Sequence, residues 1–201
     1  MGRLFHFLPW NPEGKVPQNR IGLGYGMSSA KGVSMEEKRI RVAIIGAGVA
    51  GSLLAYGLDQ DPRYEVYCFE KVPRDDRSFA GTVLNVGPNA IKVLSLFFPD
   101  VAESLKGVSI PWETITTSQV TGERIINYPI SEVADNPGIR LFWSELYRQA
   151  RLPMEDRIIF ASEVTDVAYT SDTEDTLKLS YTEDSGVEKT LEGIDLMVAA
   201  D

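Results

Sequence analysis

The sequence predicts an α/β fold: a parallel sheet built outward from a strand–turn–helix–strand unit, joined to an antiparallel β-meander. Three observations predict it. Residues 42–58 carry no charge, and three glycines crowd the first half of that run. Residues 65–69 are rich in β-formers and end on an acid, Glu70. In the C-terminal third, apolar and polar side chains alternate with period two, as Leu177, Leu179 and Tyr181 do against Lys178 and Ser180.

The chain has 201 residues, 43% hydrophobic and 24% charged, with a net charge of −9. A chain of this length buries roughly 70% of its unfolded surface, enough for a real core. The composition excludes wholesale disorder and collagen-like or low-complexity architecture. One cysteine, Cys68, excludes an intramolecular disulfide framework and fits a reducing, cytoplasmic compartment. One histidine, His6, cannot build a histidine metal site, and no metal ligands are expected. The acidic balance argues against nucleic acid and anionic membrane as partners, since both require clustered Lys and Arg.

Residues 1–34 hold four basic residues and one acid, three prolines and six glycines, without sustained periodicity. The apolar stretch at 4–10 is interrupted by His6 and Pro9 and is too short for a secretory core. The basic, acid-poor composition is compatible with a transit peptide. The simpler reading is a flexible leader, residues 1–38, ahead of a domain over 39–201.

The uncharged run is too short for a membrane helix of about 20 residues. Arg39 and Arg41 stand before it, Asp59 and Asp61 after it. It divides into a strand at 40–45, a Gly-rich turn, and a helix at 49–60 with Ala50, Leu54 and Leu58 on one face and Leu53 beside them. The turn reads Gly46, Ala47, Gly48, Val49, Ala50, Gly51. Gly46 permits the tight exit from the strand, Gly48 lets the backbone approach a pyrophosphate, and Gly51 lets the helix pack close to the strand. The helix N-terminus offers N–H groups and the positive end of its dipole to phosphate. Glu70 is the acid expected about 20 residues onward, placed to accept hydrogen bonds from ribose hydroxyls. This pattern defines a dinucleotide site, and the spacing suits FAD and NAD alike.

The next segment bears on the choice. Glu70 and Lys71 lead through Arg74 and Arg77 to Gly81, a short apolar stretch containing Asn85, and then Gly87, Pro88, Asn89 and Ala90. Pro88 suits the first position of a helix. Ala90, Leu94 and Phe98 mark its face, and Pro99 stops it. An NAD-dehydrogenase unit has no need of this long Arg-containing loop. The arrangement resembles the group A FAD-dependent monooxygenases, the para-hydroxybenzoate hydroxylase-like family.

The resemblance implies a Rossmann-like FAD-binding domain with a parallel sheet, in which Gly46, Ala47, Gly48, Val49, Ala50, Gly51, Glu70, Lys71 and Arg77 contact the cofactor. Arg74 competes with Arg77 for the arginine role. Family members often carry another arginine three positions before a helical Leu. Counting back from Leu146 in the helix expected at 142–150 lands on Trp143, so Arg140 is the nearest substitute, and Trp143 reads as core.

Residues 113–120 and 124–129 flank Thr121, Gly122 and Glu123 as a hairpin. Seven acids and two lysines between 171 and 192 read as the solvated rim of the meander. The apolar run from Ile194 suits a buried parallel strand. Asp201 resembles the Asp of a family Asp-Gly pair that contacts FAD and the nicotinamide cofactor. The family's second Gly-Asp signature has no match, so the resemblance implies a fragment of a larger two-domain flavoprotein. Residues 39–201 would be the FAD-binding domain with partial substrate-domain insertions, incomplete at the C-terminus.

The implied activity is NAD(P)H- and O2-dependent hydroxylation of a small aromatic substrate through a flavin C4a-hydroperoxide, with NADPH or NADH as reductant. No catalytic side chain is assigned, because the flavin is the reactive group. The alternatives are another FAD-dependent oxidoreductase or halogenase of the same fold, an NAD-dependent dehydrogenase, and a non-catalytic FAD-binding module.

Overall fold

The computed structural model describes residues 38–76, 81–170 and 176–200. The chain begins with β1 (Ile40–Ile45), α1 (Val49–Asp59) and β2 (Tyr64–Phe69). There follow β3 (Val83–Val86), α2 (Pro88–Phe97), α3 (Pro99–Gly107), β4 (Ile110–Trp112), β5 (Thr114–Ser118), β6 (Arg124–Pro129), β7 (Gly138–Phe142) and α4 (Trp143–Arg151). The last elements are β8 (Ile158–Ile159), β9 (Ser162–Tyr169), β10 (Leu177–Glu183), β11 (Glu188–Ile194) and β12 (Leu196–Ala199).

A four-stranded parallel sheet of order β12-β1-β2-β8 lies at the centre. The inner strand β1 is apolar from Val42 to Ile45 because both its faces are covered. Val42 and Ile44 point to one side, into a cluster with Ala55, Cys68, Met154 and Ile158. Ala43 points to the other, where it meets Phe69, Leu179 and Ile194. The β-meander, ordered β11-β10-β9, is therefore the back layer of the domain. Leu179 is fully buried between the layers, and its truncation to Ala would cost about 2–5 kcal/mol.

Helix α1 covers the front face with Gly51, Ser52 and Ala55. Ala50 and Leu54, expected on the buried side, are exposed. The reason is steric. A Cβ at position 51 would sit 1.9 Å from the carbonyl oxygen of Gly46, so only the small-residue side of α1 can come this close to the turn.

Leu53 and Tyr56 turn instead toward a second core of Ile91, Leu94, Val101, Leu105, Ile139, Leu141 and Leu146, built by α2, α3, α4 and β7. Pro99 ends α2 as expected, but it also opens α3 as its first residue, an element the sequence reading lacked. The buried positions of α2 are Ile91 and Leu94, so its inner face is turned one residue from the expected Ala90.

A smaller antiparallel sheet, β3-β7-β4, and the hairpin β5-β6 complete the described chain. Among the described residues no helix is long and apolar enough to cross a membrane.

Candidate functional site

The turn between β1 and α1 is built by three glycines for three different reasons. Gly46 has φ +94°, a backbone conformation that costs a side-chain-bearing residue about 1–2 kcal/mol. Its N–H donates to Phe69 O at 2.8 Å and so locks the turn to the end of β2. Gly51 is demanded by the close approach described above.

Gly48 is different. It is the extended N-cap of α1, and a Cβ built there meets nothing nearer than 3.8 Å, where Ala200 O and the Tyr147 ring lie. The packing of this chain does not require a glycine at 48. No side chain caps α1, so its first N–H groups face the same region.

Glu70 lies just beyond β2 and is only 5% exposed. The N–H of Ala47 donates to its Oε2 at 3.0 Å and the N–H of Val72 to its Oε1 at 3.0 Å. The turn and the acid read from the sequence are thus one structure, joined by a direct hydrogen bond. The end of β12 closes the site from the other side, with Ala200 N–H donating to Ile45 O at 2.8 Å.

The sequence reading missed two residues at the centre of the site. Arg151, at the end of α4 and 9% exposed, donates from Nη2 to Glu70 Oε2 at 2.8 Å and from Nε to Ala47 O at 2.7 Å. Its guanidinium stacks on the Tyr147 ring, 3.8 Å from the centroid, and lies 5.4 Å from that of Phe160. Tyr147 donates its O–H to Glu70 Oε2 at 3.4 Å. The available signal was the four-residue spacing of Tyr147 and Arg151, one step from the buried Leu146 and Ala150. That step puts both residues on the strip of α4 beside its inner face.

Other expected residues scatter. Lys71 is exposed, one residue beyond Glu70. Arg74 pairs with Asp156 at 3.2 Å, donates to Glu155 O and stacks over Phe160. Arg140 lies on β7, exposed, and donates to Asn85 Oδ1 at 2.8 Å across the strand pair. Trp143 is 38% exposed and is not a core residue: it is the first residue of α4, and its ring lies 6.3 Å from that of Tyr147. Arg77 and Asp201 lie outside the described residues.

Burial pushes the Cys68 thiol up to about 12, helped by the Glu70 carboxylate and opposed by Arg151. Burial also raises the Tyr147 phenol above its ordinary value. Glu70 adds to that shift and Arg151 opposes it. Tyr147 therefore meets Glu70 as a protonated donor. Among the described residues no group of three or more His, Cys, Asp or Glu is placed to hold a metal ion. The arrangement offers a bare helix N-terminus over a glycine and a fixed, buried carboxylate beside it, which is a donor set and an acceptor for a phosphate joined to a polyol.

No family model matches the chain. A 61-residue stretch is 43% identical to 6-methylsalicylate 1-monooxygenase of Aspergillus terreus, covering 30% of this chain and 13% of that protein. Among solved structures, p-nitrophenol 4-monooxygenase PnpA from Pseudomonas putida DLL-E4 matches with a TM-score of 0.67 at 16% identity, over 82% of this chain and 41% of its own. CtdE, solved with FAD and a substrate, matches with a TM-score of 0.64 at 21% identity, over 81% and 38%. HpxO from Klebsiella pneumoniae, solved with FAD, matches with a TM-score of 0.61 at 20% identity, over 81% and 40%. The shared feature is the fold. The chain spans about two fifths of the length of these structures.

Proposed function

We propose that this chain is the Rossmann-type FAD-binding part of a group A flavin monooxygenase. In the order of their appearance the parallel strands stand 3-2-1-4, so β1 is where the strand order reverses, and doubly wound sheets bind ligands at that point. The observation that carries the reading is Gly48. Its glycine is not required by the chain's own packing, and it stands at the N-terminus of α1 beside a buried carboxylate. A pyrophosphate that must approach the backbone explains all three facts.

In this reading the turn Gly46–Gly51 holds the pyrophosphate, and Glu70 accepts from the adenosine ribose. The exposed Lys71, and Arg77 and Asp201 outside the described residues, are further cofactor contacts. Residues 39–201 form the cofactor domain with parts of a substrate domain inserted, preceded by a leader over 1–38. When bound, the flavin supplies redox and oxygen chemistry that no side chain here can supply. The chain's own residues bind and orient it. With NADPH or NADH as reductant and O2 as co-substrate, the whole protein would hydroxylate a small aromatic compound in the cytoplasm. The fold neighbours and the 6-methylsalicylate 1-monooxygenase match support that class.

Calorimetric titration with FAD and NAD tests the cofactor. FAD is expected to bind more tightly, and tighter binding of NAD would overturn the reading in favour of a dehydrogenase unit.

A further inference from the structure

We propose that Tyr147 is a ribose-selecting placeholder: its phenol O–H occupies the acceptor position on Glu70 Oε2 that a ribose hydroxyl takes when an adenosine dinucleotide enters, and Arg151 holds the carboxylate still through the exchange. This rests on the reading of the Gly-rich turn and Glu70 as a dinucleotide site.

The geometry separates the donors around Glu70. The N–H groups of Ala47 and Val72 belong to the backbone of the turn and cannot leave without unmaking it. Arg151 is buried and held twice, at 2.8 Å by Glu70 and at 2.7 Å by Ala47 O. Tyr147 is the half-buried member, and its 3.4 Å contact is the longest of the four.

Its ring also spans the site. The phenol oxygen touches Glu70, while a Cβ at Gly48 would meet Tyr147 Cε2 and Oη at 3.8 Å. A ligand that puts phosphate over Gly48 and ribose on Glu70 must cross that span, so the phenol has to move.

The exchange is selective by bookkeeping of donors. Oε2 accepts from Ala47, Arg151 and Tyr147. A ribose hydroxyl that replaces the phenol leaves the carboxylate satisfied, whereas a ligand without that hydroxyl removes a donor from a buried acceptor and returns none. Arg151 is a positioning residue here: it stacks under the ring it must let go and grips the carboxylate that must stay.

The test is calorimetric titration of the full chain and its Tyr147→Phe variant with ADP and with 2′,3′-dideoxy-ADP. Both ligands must displace the phenol, so removing its O–H is expected to tighten ADP and the dideoxy analogue alike, roughly three- to tenfold, with ADP staying the tighter of the two. Unchanged or weaker ADP binding, or a gain for only one of the two ligands, would overturn the placeholder while leaving the dinucleotide site standing. Absence of ADP binding by the unsubstituted chain, or no preference for ADP over the analogue, would overturn the site reading and the proposal with it. A second measurement is independent of the variant's folding. With 3-fluorotyrosine at position 147, saturating ADP is expected to shift the fluorine resonance, and an unmoved resonance would overturn the proposal.

Discussion

Arg151 and Glu70, 81 positions apart in sequence, close on one residue, Ala47, from both sides: the carboxylate accepts the Ala47 N–H and the guanidinium donates to the Ala47 carbonyl, while the two charges meet at 2.8 Å. The pair is buried, so removing one partner leaves an uncompensated charge. Arg151→Met is expected to lose about 3–5 kcal/mol of stability. The double variant with Glu70→Gln should recover part of it. Urea unfolding followed by circular dichroism measures both. A loss under about 1 kcal/mol for the single variant would show that water screens the pair.

The glycines of the turn should separate folding from binding. Gly51→Ala places a methyl group 1.9 Å from a carbonyl oxygen and is expected to disrupt the turn and the domain. Gly48→Val meets open contact distances and should keep a near-native dichroism spectrum while losing flavin retention. Normal flavin content in the folded Gly48 variant would remove the pyrophosphate from this turn.

Much of this was legible. The strand at 40–45, the glycine turn and Glu70 follow from period and spacing, because local backbone demands write themselves into local sequence. The final parallel strand was legible too, from its apolar run, but not its burial: β12 stands at the end of the sheet, and Leu196 and Ala199 are exposed. What sequence does not carry is which side of an amphipathic strip meets which neighbour. The face of α1 was misjudged because side-chain size favours Leu54, whereas the packing distance is set by Gly51 against Gly46. Arg151 was missed because a basic residue at a helix C-terminus ordinarily serves the helix dipole. Its partner lies across the fold, visible only once β2 and α4 are side by side.

Cys68 is free and 1% exposed, and its thiol is held at about 12 against an ordinary 9.0. It should resist a thiol-reactive disulfide reagent at pH 8 in the folded chain and react once urea is added. Because the folded value is the raised one, its contribution to stability is complete below pH 9 and is lost as the pH climbs toward 12. Rapid labelling of the native chain at pH 8 would contradict this burial.

Ala161 has φ +50°, in the left-handed region, where it turns the chain from β8 into β9. The turn bears on the site, since Ser162 N–H donates to the Glu70 carbonyl at 3.0 Å. Ala161→Gly is expected to raise stability by up to about 1 kcal/mol, the relief of backbone strain exceeding the entropy cost of glycine. Ala161→Val should lower the Tm. A glycine variant less stable than the parent would show that the methyl group is held by packing.

The pairing of β1 with β12 sets a schedule for the chain. Arg41 N–H donates to Asp195 Oδ2 at 2.8 Å, 154 positions away in sequence, and Val42 stands in register with Leu196. β1 therefore waits for β12, made long after it, before one of its two edges is covered. During that interval β1 can pair with β2, but its other edge is a template for any extended segment nearby. Separations of this kind slow folding, since loop closure must precede the contacts that reward it. The central strand is thus well protected in the finished domain and open to mispairing in the nascent one, with synthesis of β12 marking the passage between the two.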